Sequence, residues 1–139
     1  MQVSNTGGCH CGAVRFEYDG EPLFGGVCHC RDCQRFGGAP LAAGIIVPRA
    51  AFRLTRGATK VYASSEHGRR HFCADCGSSL FFEPLDKPAV WEIFVGVLDD
   101  PMGFTPRTHI WCRSALPWLK IDDDAVRFDG ARPADFKLD

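Results

Sequence analysis

Seven of the eight cysteines stand in three tight clusters: Cys9 and Cys11 in G-G-C-H-C-G, Cys28, Cys30 and Cys33 in C-H-C-R-D-C, and Cys73 and Cys76 in C-A-D-C-G. Spacings of one or two residues suit thiolates converging on a metal. They suit disulfides poorly, because an S–S bond across an extended C-x-C turn strains the backbone. Soft thiolates select zinc, Cu(I) or iron–sulfur clusters, and zinc is the commonest occupant of such knuckles. The count divides into four ligands plus three. Four closes a tetrahedron; three leaves one position open.

Cys9 and Cys11 with Cys73 and Cys76 are the pairs assigned to the closed site. Cys73-Ala74-Asp75-Cys76-Gly77 reads as a knuckle between candidate strands, with Gly77 letting backbone N–H groups turn toward sulfur. Ligands so far apart would tie the N-terminal part to the middle of the chain, and a structural zinc of this kind contributes on the order of 10 kcal/mol to folding. The alternative, buried thiols without metal, is the natural reading of a lone cysteine but not of two close pairs. Cys28, Cys30 and Cys33 supply three thiolates from six residues, the pattern of a catalytic zinc with an exchangeable position. A second structural site completed by His10, His29, His71 or Cys112 is the alternative there. Three thiolates leave such a zinc negatively charged and damp its Lewis acidity, so it suits holding a thiol substrate better than activating water.

A chain of 139 residues is read as a single domain, 1–139, with ample material for one core. Its formal net charge of −1 argues against nucleic acid as a general partner. Seven thiolates and two Zn²⁺ would make the chain more negative, about −4. No apolar run approaches the roughly 20 residues of a membrane span. The opening M-Q-V-S-N-T lacks a charged and an apolar region of the secretory kind, so reduced, metal-binding cysteines point to the cytoplasm. Nothing in the sequence sets an oligomeric state.

The strand pattern is one of many short segments punctuated by 15 Gly and 9 Pro, which leave no long helical period. Val14, Phe16 and Tyr18 alternate with Arg15, Glu17 and Asp19, the period of a half-buried strand. Further candidates are Leu41–Val47, Phe52–Thr55, Lys60–Ala63, Ser79–Glu83, Val90–Val97, His109–Cys112, Leu119–Ile121 and Val126–Phe128. In the longest, Trp91, Ile93, Val95 and Val97 form the core face. Arg31–Phe36 reads as one or two helical turns ended by Gly37-Gly38, and Asp99–Arg107 as a loop.

Four segments carry a resemblance: G-G-C-H-C-G-A-V-R-F, C-H-C-R-D-C-Q-R-F-G-G-A-P, F-C-A-D-C-G-S-S-L-F and H-I-W-C-R-S-A-L-P-W-L. Together, from about Gly7 to Asp122, the chain resembles the glutathione-dependent formaldehyde-activating enzyme family, which shares its domain with centromere protein V-type proteins. The resemblance implies an all-β, Mss4-like fold of several short coiled antiparallel sheets with zinc knuckles, and two Zn²⁺. It matches Cys9, Cys11, Cys73 and Cys76 to a structural site and Cys28, Cys30 and Cys33 to a catalytic one. It implies a carbon–sulfur lyase acting on glutathione or a similar small thiol and a small aldehyde, such as formaldehyde plus glutathione giving S-hydroxymethylglutathione. The thiol would be held as thiolate by the three-cysteine zinc, would attack the aldehyde carbon, and His29 or a water would protonate the alkoxide. The rival readings are a carrier of the adduct and a non-catalytic zinc-stabilised binding module.

Other residues have plainer expectations. Cys112 reads as a small apolar strand residue beside Trp111 rather than as a redox thiol or fourth ligand. His10 and His29, between ligand cysteines on extended backbone, aim away from the metal and face solvent or brace the ligands from behind. Gln34, Arg35, Phe36 and Gly37 follow the three-cysteine cluster and line its cleft, where Arg35 or Arg113 is placed to meet a carboxylate. Arg69-Arg70 reads as a solvated turn.

Overall fold

A computed structural model describes residues 1–137. Their regular elements, in order, are β1 (Thr6–Gly8), β2 (Arg15–Tyr18), β3 (Phe24–Cys28), α1 (Arg31–Gly37), β4 (Ala42–Pro48), β5 (Phe52–Arg56), β6 (Lys60–Ser65), β7 (Gly68–Phe72), β8 (Ser79–Pro84), β9 (Val90–Phe94), β10 (Thr108–Ile110) and β11 (Val126–Arg127), with three short 3-10 turns. The all-β, Mss4-like expectation holds. None of the helices among the described residues is long and apolar enough to cross a membrane. The chain packs as two compact units, one of Met1–Phe24 with Gly44–Phe104 and one of Gly25–Ala43 with the residues from Thr105 onward.

In the first unit β1, β2 and β5 form an antiparallel sheet, and β4, β9, β8, β7 and β6 lie side by side, antiparallel, in another. The period-two reading of β2 is what the fold uses, since Val14, Phe16 and Tyr18 are all buried. Phe16 meets Phe81 edge-on at 5.1 Å between ring centroids, and Phe52 stacks on Trp91 at the same separation. Ile45, Val47, Leu80 and Ile93 complete this core. The long apolar run is shorter as a strand than its pattern suggested. β9 stops at Phe94, a 3-10 turn covers Val95–Val97, and the added rotation buries Leu98 where strict alternation would bury Val97. Arg69-Arg70 is no solvated turn. Both lie in β7, and Arg70 is buried with its guanidinium 5.0 Å above the Phe82 ring of the neighbouring strand, a cation–π stack that hides the charge.

In the second unit β3 pairs with β10, and β10 with β11, all parallel. This departs from the expected antiparallel sheets. Hairpins make antiparallel neighbours, but these three strands are joined by long excursions, which permit parallel pairing. Val126–Phe128 does supply β11, whereas Leu119–Ile121 forms no strand, the Leu119 N–H instead closing a turn on the Leu116 carbonyl. The helix appears where expected and ends on Gly38 at φ 62°, a left-handed conformation that Gly adopts without strain.

One ion pair closes the first unit at its edge. Asp99 accepts from both guanidinium nitrogens of Arg15 and from Thr6 Oγ1, and these bonds, Arg15 first, hold its carboxyl below the usual range. A lowered carboxyl means stability that is present above the unfolded value near pH 4 and is lost as pH falls through the folded value. Both side chains are more than a third exposed, so solvent screening keeps the gain small. Asp99→Asn should therefore cost about 0.5–1 kcal/mol at pH 7. That difference should vanish below the folded value, as checked by urea unfolding across a pH series.

Candidate metal centres

Local geometry gathers the sulfurs within each cysteine cluster, and packing across the fold brings Cys11 to Cys73. On extended backbone, residues i and i+2 share a face, so Cys28, ending β3, and Cys30 point to one side and His29 to the other. Cys30 then becomes the N-cap of α1, its φ of −64° and ψ of 155° still extended, and the first helical turn returns Cys33 to it. The Cys30 sulfur accepts the Cys33 N–H at 3.4 Å, doing for the helix what a Ser or Asp usually does. In the first unit, Cys9 opens a turn in which the Gly12 N–H bonds its carbonyl, and the Val14 N–H bonds its sulfur at 3.2 Å. Cys73 and Cys76 flank a second turn, closed by the Gly77 N–H on the Cys73 carbonyl with Gly77 at φ 79°. Ser78 joins the two knuckles, its hydroxyl accepting the His10 N–H at 3.0 Å and lying 3.2 Å from the Cys76 sulfur.

The sulfurs of Cys9, Cys11, Cys73 and Cys76 all lie within 4.8 Å of one another, and so do those of Cys28, Cys30 and Cys33. In the first group Cys9–Cys11 is 3.6 Å and Cys11–Cys73 is 3.8 Å. A tetrahedron with Zn–S bonds of about 2.3 Å has edges of about 3.8 Å, and these two separations match it. Their titration has the same origin. At Cys9 burial pushes the thiol up, but N–H and thiol donors, the Val14 N–H foremost, outweigh it and bring it down. Cys76 falls to about 5, chiefly through the Ser78 hydroxyl and N–H. At Cys11 the Ala13 N–H pulls down, yet the Cys9 sulfur, burial, and the Cys76 and Cys73 sulfurs together push it up to about 12. Without a cation some sulfurs must keep protons so that others can ionise. Cys28 is driven up more strongly still, first by the facing Cys30 and Cys33 sulfurs and then by burial.

Among the described residues no fourth His, Cys, Asp or Glu joins the three-cysteine group. Each of the four alternatives is accounted for. His10 is exposed. His71 is engaged by Thr59 Oγ1 at 2.8 Å and Glu83 Oε1 at 3.1 Å. Cys112 is not in the strand expected for it. Trp111 turns into the left-handed region at φ 56°, and Cys112 starts a 3-10 turn, half-buried, its thiol pushed up by burial. His29 faces neither the sulfurs nor solvent. It is 4 % exposed, with Nε2 2.8 Å from His109 Nδ1, and His109 Nε2 lies 2.8 Å from Asp123 Oδ2. Burial first, then the neighbouring His109 and Arg127, lowers His29 and keeps its ring neutral.

The residues after the cluster divide in their roles. Gln34 is buried rather than lining a cleft, its side-chain amide donating to the His29 carbonyl at 2.8 Å and the Ser114 carbonyl at 3.0 Å. Arg31 in turn donates to the Gln34 Oε1. Arg35 is exposed on α1, and Arg113 bonds the Asp129 carbonyl while lying 5.4 Å above the Trp111 ring. From sequence, no part in either centre is assigned to Ser78, His109 or Asp123. Ser78, two residues past Cys76, carried a local signal, but Asp123 is far from every cluster and carried none.

The all-β scaffold thus carries one group of four thiols and one of three, each spaced so that it could hold a metal ion. Residues 4–114 match the family model of the glutathione-dependent formaldehyde-activating enzymes. The chain therefore belongs to that family. It is 29% identical over 125 residues, 84% of this chain and 80% of the other, to a Halomonas elongata protein named "Putative glutathione-dependent formaldehyde-activating enzyme". The crystal structure of a Rhodobacter sphaeroides protein, 28% identical, is similar with a TM-score of 0.59 over 73% of this chain and 92% of that one.

Two expectations follow. Cys76→Ser should bind one metal ion fewer than wild type and lose the sharp unfolding transition of the first unit, as read by metal analysis and thermal denaturation; retention of wild-type metal content and stability would dissolve the four-plus-three division. Gln34→Leu removes both amide donors behind the three-cysteine loop and should weaken that centre's metal binding by at least about tenfold. Competition with a chromophoric chelator measures it, the four-cysteine centre serving as internal control.

Proposed function

We propose that this chain is a cytoplasmic, single-domain, two-zinc enzyme of the carbon–sulfur lyase type, acting on glutathione or a similar small thiol and a small aldehyde. The reaction is that of formaldehyde plus glutathione giving S-hydroxymethylglutathione. Cys9, Cys11, Cys73 and Cys76 hold the structural zinc, and Cys28, Cys30 and Cys33 hold the catalytic one. The observation that carries this reading is the unequal closure of the two groups, four thiols against three with no fourth donor among the described residues. Family membership and the relative's name support the choice of thiol and aldehyde.

Zinc at the three-cysteine centre would supply a soft positive charge that favours the thiolate form of an incoming thiol. Cys28, Cys30 and Cys33 provide the donors, and their three negative charges tune that centre toward sulfur rather than water. Gln34 locks the loop that carries them by bonding the His29 and Ser114 carbonyls. Arg35, exposed on α1 two residues past Cys33, is the proposed contact for a carboxylate of the thiol substrate. In the addition, the sulfur pair forms the C–S bond, the carbonyl π pair moves to oxygen, and the alkoxide takes a proton. The lyase direction reverses each step.

Fewer donors make the three-cysteine centre the weaker of the two. A limited dose of chelator should remove about one metal ion, abolish thiol-dependent turnover, and leave the fold largely intact. Cys30→Ser should reproduce that state. In the Co²⁺-substituted protein, glutathione should alter only the charge-transfer bands of the three-thiolate centre. Two equally resistant centres, both indifferent to glutathione, would sink the enzyme reading in favour of a zinc-stabilised binding module.

A further inference from the structure

Behind the three-cysteine loop runs an unbroken row of hydrogen bonds. His29 and His109 are stacked 20° from parallel and joined Nε2 to Nδ1, and Asp123 closes the far end on His109 Nε2. His109, at 1 % exposure, is more deeply buried than His29. The other oxygen of Asp123 accepts from the Ala125 N–H and the Arg127 guanidinium, both at 3.0 Å. Every bond to that carboxylate is therefore one it accepts.

With His109 neutral, this sets the protons along the row. An ionised carboxylate cannot donate, so His109 donates to it from Nε2. A neutral His109 then has a bare Nδ1, which can only accept, and His29 must donate from Nε2. The remaining nitrogen of His29, Nδ1, is left as a lone-pair acceptor. That atom is buried and has no partner among the described residues. His29 itself stands between Cys28 and Cys30, so whatever orients its ring also orients the backbone arm that carries two of the three sulfurs.

We propose that His109 and Asp123 are positioning residues that lock His29 in its Nε2–H tautomer and thereby hold the Cys28–Cys30 arm in the shape that gathers the three thiols. Asp123 lies beyond the residues 4–114 that match the family model, so this control comes from a part of the chain outside the matched span. The lock also fixes the chemistry of any group that meets His29 Nδ1, which must be an N–H, O–H or S–H donor and never an acceptor. The proposal rests on the reading of Cys28, Cys30 and Cys33 as a metal centre, but not on the reaction assigned to it.

Nitrogen-15 NMR of the imidazoles in the zinc-loaded protein, at neutral to mildly alkaline pH, tests it directly. In wild type, His29 and His109 should each show protonated Nε2 and unprotonated Nδ1. Asp123→Asn can reverse the row, because the new amide donates to His109 Nε2 and drives each proton one atom along. It should move His29 wholly or partly to the Nδ1–H form and speed metal release from the three-cysteine centre by about tenfold or more. Release from the other centre should be unchanged. Asp123→Glu, which keeps an acceptor-only end, should restore the wild-type tautomer. A residue that merely anchored Arg127 and Ala125 would not move the imidazole protons at all. A wild-type His29 protonated on Nδ1, a doubly protonated His109, or an Asp123→Asn protein with unchanged tautomer and release rate would overturn the proposal. Absence of aldehyde turnover alongside the expected nitrogen shifts would remove the reaction and leave the positioning role standing.

Discussion

Sulfurs held closer together than their charges allow are the constraint on which this molecule turns. Cys11 and Cys76 belong to one tetrahedron-sized cluster, yet one thiol is raised to about 12 and the other lowered to about 5. The difference is not in their exposure but in who donates to whom. Ser78 and backbone N–H groups satisfy Cys76, whereas at Cys11 the Ala13 N–H is outweighed by burial and the neighbouring sulfurs. A doubly charged cation removes this conflict at one stroke, because each sulfur then answers to the metal instead of to another sulfur. The backbone supplies the rest through N–H groups aimed at sulfur, at Val14 for Cys9 and at Cys33 for Cys30.

The two clusters solve the same problem with different local structures. In the first unit two turns face each other, each with a glycine in the left-handed region at Gly12 or Gly77, and Ser78 bonds across. In the second a strand end runs into a helix start, so extended and helical geometry together gather three sulfurs in six residues. The second device has no further donor to give, since the next side chain, Gln34, is turned inward to hold the loop. That the group holds three sulfurs and no fourth donor among the described residues thus follows from how its backbone is built.

Features governed by neighbours in the chain were legible in the sequence. The C-x-C and C-x-x-C spacings, the alternation around Phe16, and the Gly37-Gly38 stop after α1 are all of this kind. Features governed by contacts across the fold were not. Arg70 reads as surface charge until Phe82, a strand away, is placed beneath it. β3, with two glycines in F-G-G-V-C, has little strand propensity of its own and gains its form from pairing with β10. His109 and Asp123 looked unremarkable because their partners lie 80 and 14 residues away. His29 was correctly aimed away from the sulfurs by strand geometry, but strand geometry could not say what would receive it.

The parallel pairing of β3 with β10 also sets an order of events during synthesis. Cys28 leaves the ribosome with its strand, but Ile110, its register partner, is 82 residues behind. At bacterial and eukaryotic elongation rates that gap lasts on the order of 4–16 seconds. The sulfurs of the first unit are complete by Cys76, well before then. Through that interval Cys28, Cys30 and Cys33 are translated yet lack the strand that fixes them, so the nascent chain presents three reactive thiols before it has the scaffold to use them. A cell making this protein must keep those thiols reduced, or already metal-bound, while the remainder of the chain is still being made.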